Sequence, residues 1–126
     1  MAAFGLLEMK PLPPIVIAAD GFWFEGASWA PVEWNAIRRI CAYKVDLLTT
    51  DEIRLVVDYD EAKPMHIEVS EEQPGFEQFR NFLEQYFAFR EGWWETVMKP
   101  AFANNETVLF QRAEQGHAGD AGNPRV

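Results

Sequence analysis

Apolar and polar residues alternate through the middle of the chain. In "AYKVDLLTTDEIRLVVDYD" (42–60), extended back to Ile40, the residues Cys41, Tyr43, Val45 and Leu47 share one phase, and Ala42, Lys44 and Asp46 share the other. After "LTTDE" (48–52), Ile53, Leu55, Val57 and Tyr59 take one phase and Arg54, Val56 and Asp58 the other. A period of two predicts half-buried strands, because successive side chains on a strand point to opposite faces. Joined as a hairpin with odd-numbered side chains inward, Val45 falls opposite Leu55, Tyr43 opposite Val57, and Asp46 opposite Arg54 on the wet face. "MHIEVS" (65–70) predicts a third strand, with Met65, Ile67 and Val69 inward and His66 opposite Asp58. On this reading the charges meet cross-strand neighbours of opposite sign, worth ~0.2–1 kcal/mol each, and need no chemistry to explain them.

The flanking segments give further elements. "PIVIAAD" (14–20) and "GFWFEG" (21–26) meet at Asp20-Gly21, a strong hairpin signal because both residues tolerate positive φ. Trp34, Ile37 and Ile40 recur every three residues, which predicts a helical or 3₁₀ turn leading into a strand. Over 71–90 the period lengthens: Phe76, Phe79, Leu83, Tyr86 and Phe87 form the aromatic stripe of an amphipathic helix. Pro74-Gly75 punctuates its start, and Gly92 is expected to end it. A short helical turn at 93–98, a break at Pro100 and a last strand over 106–112 complete the pattern. The expected fold is α+β: a curved antiparallel sheet with one amphipathic helix on its open side. The expected organisation is an extended arm over 1–14, one domain over 15–112 and a flexible tail over 113–126.

A chain of 126 residues with 14% aromatic content has material for one packed core. The formal net charge is −9, which disfavours phosphate backbones and anionic membrane surfaces and favours a basic partner. Arg38-Arg39 is a lone basic pair among acidic neighbours, so a nucleic-acid partner is not expected. No apolar run reaches the ~20 residues of a membrane span. With a single cysteine and no convincing secretion signal at the start, a cytoplasmic, reducing setting is expected.

Chemistry-bearing residues are sparse. His66, His117 and Cys41 lack the spacing of a zinc site, and no glycine-rich phosphate loop is present, so no metal or cofactor is expected. Cys41 reads as a small core residue, with His66 on the opposite face. Glu68, Glu71 and Glu72 are the best acid–base cluster, but Glu71 and Glu72 precede a helix, where negative charge meets the helix dipole favourably. Trp23, Trp29, Trp93 and Trp94 exceed what one small core takes up, and aromatic residues left at a surface mark contacts with another protein or another copy.

Antiparallel strands followed by an amphipathic helix and a Trp-rich closure resemble a pleckstrin-homology-like, or GRAM-like, half-barrel. More closely, "WNAIRRICAYKVDLLTTDEIRL", "IEVSEEQPGFEQF" and "PAFANNETVLFQR" resemble a family of small uncharacterised bacterial proteins over roughly residues 30–112. That resemblance implies a fold and supplies no catalytic residues. The function expected from the residues is a non-catalytic interaction with another protein, as an adaptor or an immunity-type inhibitor. Trp23, Trp29, Trp93, Trp94, Glu68, Glu71 and Glu72 are its candidate binding residues, and self-association is the second form of the same idea. The alternatives are an apolar ligand held between sheet and helix by Phe76, Phe79 and Tyr43, and an acid–base enzyme using Glu68, Glu71 or Glu72.

Overall fold

A computed structural model of the chain describes residues 12–46, 50–99 and 106–113. The β-branched run and the aromatic run on either side of Asp20-Gly21 form β1 (Ile15–Ile17) and β2 (Gly21–Phe24). They pair antiparallel with Ile17 opposite Phe22, and the Ala18 N–H donates to the Gly21 carbonyl at 2.8 Å to close the turn. A short β3 (Val32–Glu33) adds to β2. Gly21 is required there: a Cβ on it would lie 2.3 Å from the Val32 carbonyl oxygen. A 3₁₀ turn, Trp34–Ala36, leads into β4 (Ile37–Asp46), followed by β5 (Asp51–Tyr59) and β6 (Met65–Ser70). Two helices, α1 (Phe76–Tyr86) and α2 (Trp93–Met98), precede β7 (Thr107–Gln111).

The protein is thus α+β, with its strands divided between two antiparallel sheets, β1-β2-β3 and β6-β5-β4-β7. Both contribute to one core. Phe22, Val32 and Trp34 from the first region join Ile40, Ile53, Leu55, Val57 and Val69 from the second, with Phe79 and Leu83 of α1 packed among them. Phe79 reaches Phe22 at a ring-centroid distance of 4.8 Å, and Trp34 stacks on Phe82 at 4.3 Å. The stripe predicted for α1 is buried at Phe76, Phe79 and Leu83, but Tyr86 is 52% exposed. Phe87, the last residue of the predicted stripe, lies just past the helix and is buried against Phe110 at 4.5 Å.

Pro74-Gly75 does more than start α1. The Ile15 N–H donates to the Pro74 carbonyl at 2.9 Å, while Gly75 adopts φ 88° with its Cα facing the Ile15 carbonyl. An added Cβ would lie 2.8 Å from that oxygen, so glycine is needed for both the left-handed backbone and the close approach of helix to strand. Gly92 departs from expectation. α1 ends at Tyr86, with the Phe87 N–H bonded to Leu83 and Ala88 in the left-handed region at φ 52°. Gly92, at φ 81°, instead precedes the first residue of α2.

The phase of β4 is the main correction. The observed register sets Lys44 opposite Ile53, Ala42 opposite Leu55 and Ile40 opposite Val57, so the even-numbered side chains share the dry face. Tyr43 lies opposite Arg54, and Asp46 opposite Asp51 rather than Arg54. The β5 half of the prediction holds, with Ile53, Leu55 and Val57 all buried, as does the pairing of His66 with Asp58. Met65, expected inward, is 42% exposed at the start of β6. Two features invert β4. A register shift between Ile37 and Arg39 lets Ile37 and Ile40 both face the core. Lys44, in turn, buries its aliphatic stem and engages its ammonium group locally. Its Nζ donates to the Met98 carbonyl at 3.2 Å and lies 3.6 Å from Asp51 and 4.0 Å from Asp46. A lysine can satisfy an inward position when its amine meets carbonyl and carboxylate oxygens.

This tie between β4 and the end of α2 predicts graded effects. Lys44→Met retains the stem and loses the polar contacts; Lys44→Ala loses both. Chemical denaturation is expected to show Lys44→Ala as the more destabilising, by about 2–4 kcal/mol. Faster amide hydrogen exchange over 93–98 is expected in both variants.

Candidate functional site

The corrected register decides what the outer face of the larger sheet presents. Arg54 of β5 is flanked at one level by Tyr43 of β4 and Ser70 of β6. Its Nε donates to Glu52 Oε2 at 3.1 Å, and its Nη1 lies 3.6 Å from Glu68 Oε1. The Tyr43 hydroxyl donates to Glu68, and the Ser70 hydroxyl donates to Glu52. Arg39 pairs with Asp58 at 3.8 Å. Glu52 is 5% exposed. Burial works against its charge, but the Ser70 hydroxyl and the Arg54 guanidinium outweigh burial and hold the carboxyl below its ordinary value. Burial, reinforced by the Glu68 carboxylate, pushes the Tyr43 hydroxyl up. Burial likewise raises the Cys41 thiol, which keeps it in the unreactive protonated form. On this face each of the three carboxylates is engaged by an arginine, with Arg54 shared between Glu52 and Glu68.

Two open grooves lie away from it. One, of about 360 Å³, runs past the start of α1 and is lined by Glu71, Gln73, Phe76, Glu77, Arg80 and Trp94. Gln73 is fixed beneath it, accepting from the Ser70 N–H at 2.9 Å and donating to the Pro13 carbonyl at 2.8 Å. The Arg80 guanidinium carbon sits 4.1 Å from the Trp94 ring centroid, and Arg80 Nε donates to Glu84 at 3.1 Å. The chain's own cation therefore covers the Trp94 ring face.

The second groove, of about 380 Å³, is lined by Trp29, Ala30, Pro31, Glu33, Ala36, Tyr59, Asp60 and Met65. Its walls come from the segment before the 3₁₀ turn and from the β5–β6 turn. The Asp60 N–H donates to the Ala36 carbonyl at 3.0 Å and joins the two walls. Asp60 has φ 71°, and its Oδ1 accepts the Lys63 N–H at 3.2 Å. Glu33 precedes the 3₁₀ turn but its side chain does not cap it. Among the described residues, neither Glu33 nor Asp60 forms an ion pair. A neighbouring hollow of about 210 Å³ shares Tyr59 and Met65 and carries Arg38, Asp58 and His66.

The residues singled out from the sequence are distributed rather than gathered. Trp29 and Trp94 line different grooves, and Trp23 is half-buried on β2 opposite Val16. Trp93 is only 2% exposed and donates from Nε1 to Glu84 at 2.8 Å, so its ring belongs to the core and not to a surface. Glu68 is engaged by Tyr43 and Arg54 on the outer face. Glu71 Oε1 accepts the Ile53 N–H at 2.6 Å, extending the sheet ladder, and Glu72 is exposed. The space expected between sheet and helix is filled: Phe79 is fully buried and Phe76 nearly so, while Tyr43 stands on the opposite face of the sheet. Sequence reasoning missed Glu33, Tyr59, Asp60 and Met65 as neighbours of Trp29. The one available signal was Asp60 itself, a residue tolerant of positive φ at the head of a turn.

The lowered Glu52 carboxyl has a pH consequence. A carboxylate with a depressed folded-state value stabilises the fold above its ordinary value, 4.5, and that stability is lost as pH falls below it. Denaturation midpoints are expected to drop with acidification through this range, and Glu52→Gln is expected to flatten the drop. Arg54→Met, which leaves the Glu52 charge without its guanidinium, is expected to cost about 1–3 kcal/mol at neutral pH.

Among the described residues, no group of three or more His, Cys, Asp or Glu is placed to hold a metal ion, and no helix is long and apolar enough to cross a membrane. Compared with family models, with curated proteins and with solved structures, the chain finds no match in any of the three.

Proposed function

We propose that this protein is a non-catalytic interaction module of the bacterial cytoplasm that binds a basic protein, in the manner of an adaptor or an immunity-type inhibitor, on a pleckstrin-homology-like scaffold. The inward turn of Lys44 removes one premise, an apolar odd-numbered face in β4. The observation that now carries the reading is the placement of two partly exposed indoles, each in an open groove with two carboxylates: Trp29, over whose ring no guanidinium of the described residues sits, and Trp94, whose edge remains beside the Arg80 that covers its face. Partly exposed indoles supply large, rigid apolar contact area to a partner. A net charge of −9 steers a basic partner toward them and rejects acidic ones.

The arrangement of the carboxylates supports binding over catalysis. General acid–base work needs two groups converging on one reacting centre. Glu68 and Glu71 instead serve different partners, a tyrosine–arginine pair and a backbone N–H. Ligand storage between sheet and helix finds no support in a core already filled by Phe79 and Leu83.

Binding isotherms against a panel of purified basic and acidic proteins of similar size test the reading. Basic members are expected to bind, and their affinity to fall at least tenfold between about 0.05 M and about 0.5 M salt. Equal binding of acidic and basic members, or affinity indifferent to salt, overturns it.

A further inference from the structure

Two tryptophan grooves of similar size differ in one respect, which decides what each is able to accept. In the groove at the start of α1, Arg80 already lies over the Trp94 ring at 4.1 Å and is neutralised by Glu84. That groove holds a cation supplied in cis. The groove beside Trp29 has a tryptophan, a tyrosine, a methionine and two carboxylates in its lining, with no Lys, Arg or His among them. Among the described residues, the guanidinium groups that sit over aromatic rings do so at Trp93, Trp94 and Phe110, none at Trp29. Trp29 itself is held by edge-on contact with Phe24 at 5.2 Å.

The carboxylates of the Trp29 groove also differ from those of the sheet face. On the sheet face, Asp58, Glu52 and Glu68 are each matched by an arginine of this chain. Glu33 and Asp60 have no ion-pair partner among the described residues. The groove therefore pairs an aromatic platform with uncompensated negative charge, the complement of a planar cation that stacks through its face and donates hydrogen bonds from its edge.

We propose that the Trp29 groove is a socket for an arginine side chain presented by a basic segment of the partner protein. The guanidinium stacks against the aromatic wall while Glu33 and Asp60 accept its N–H groups, and the Met65 side chain, 42% exposed, packs along the aliphatic stem. Arginine fits better than lysine because its planar fork serves ring and carboxylates together, whereas an ammonium is more strongly hydrated. This assignment rests on the reading of the protein as a binder of basic partners and specifies where and how such a partner is read.

The test uses the full chain and a short synthetic peptide alternating arginine and glycine, with a matched peptide carrying citrulline, the neutral isostere, in place of arginine. Calorimetric titration is paired with the indole N–H resonances of the labelled protein. The arginine peptide is expected to bind and to shift the Trp29 indole signal, and the citrulline peptide to bind at least about tenfold more weakly. Two double variants remove the same amount of charge: Glu33→Gln with Asp60→Asn, and Glu91→Gln with Glu95→Gln, two exposed carboxylates that line neither groove. Asparagine tolerates the left-handed backbone at position 60 and keeps an acceptor for Lys63, so the turn is retained. The first pair is expected to weaken the arginine peptide about tenfold and the second to leave it nearly unchanged. Equal weakening by both pairs, or an unmoved Trp29 signal, overturns the socket while leaving a diffusely attracted basic partner in place. A chain that binds neither the arginine peptide nor any basic protein of the panel overturns both.

Discussion

The burial of one indole, that of Trp34, organises the molecule. Its ring is 2% exposed, stacks on Phe22 at 5.5 Å and on Phe82 at 4.3 Å, and donates from Nε1 to the Ala18 carbonyl at 3.1 Å. Its backbone N–H donates to the Asp20 carbonyl at 3.0 Å. One residue therefore ties the first hairpin, the 3₁₀ turn and α1 into a single packed unit. Buried tryptophan brings a large apolar area and a donor that must be satisfied, and both requirements are met here by neighbours of fixed geometry. The larger sheet inherits its position from this anchor. β4 leaves the 3₁₀ turn at Ile37, and the Ala36 carbonyl receives the Asp60 N–H from the far end of the next hairpin. The two walls of the Trp29 groove are thereby held against the same anchor.

Parts of this were legible in the residues because local rules decided them. Asp20-Gly21 specifies a turn by backbone tolerance alone. The α1 stripe reflects a period that only a helix satisfies, and β6 takes its register from the adjoining strand through His66 and Asp58. β4 was not legible, since its phase depends on a register shift at Arg38 and on carbonyl and carboxylate oxygens from α2 and β5 that meet Lys44. Alternation assigns a lysine to water by default, and only tertiary structure reveals an amine satisfied inside. Gly92 was ambiguous for a related reason: a left-handed glycine serves equally after one helix or before the next. The Trp29 groove was half legible. An excess of tryptophan pointed to the ring, but Glu33 and Asp60 come to line the same groove only through the pairing of distant segments.

The inverted phase of β4 also reshapes the surface that remains. With Tyr43 outward beside Arg54, the sheet face acquires a phenol that donates to Glu68 next to the guanidinium shared by Glu52 and Glu68. Had the odd-numbered residues faced inward, Lys44 would have stood on that face in place of the tyrosine. The inversion thus replaces a cation on the sheet face with a neutral hydroxyl, which holds Glu68 by donating a hydrogen bond.

Net acidity and local acidity then play different parts. A charge of −9 spread over a small domain raises encounter rates with any basic molecule, and salt screens it over about 10 Å at ordinary ionic strength. Such a field cannot discriminate one basic sequence from another. Discrimination needs a place where the wrong side chain leaves something unsatisfied. The sheet face provides no such place, because its charges are content with one another. Among the described residues, the carboxylates at the Trp29 groove have no ion-pair partner and no guanidinium sits over the ring, so an incoming neutral or acidic side chain would cover them without compensation. In the proposed interaction, specificity resides at that groove, where the chain has left its own electrostatics incomplete.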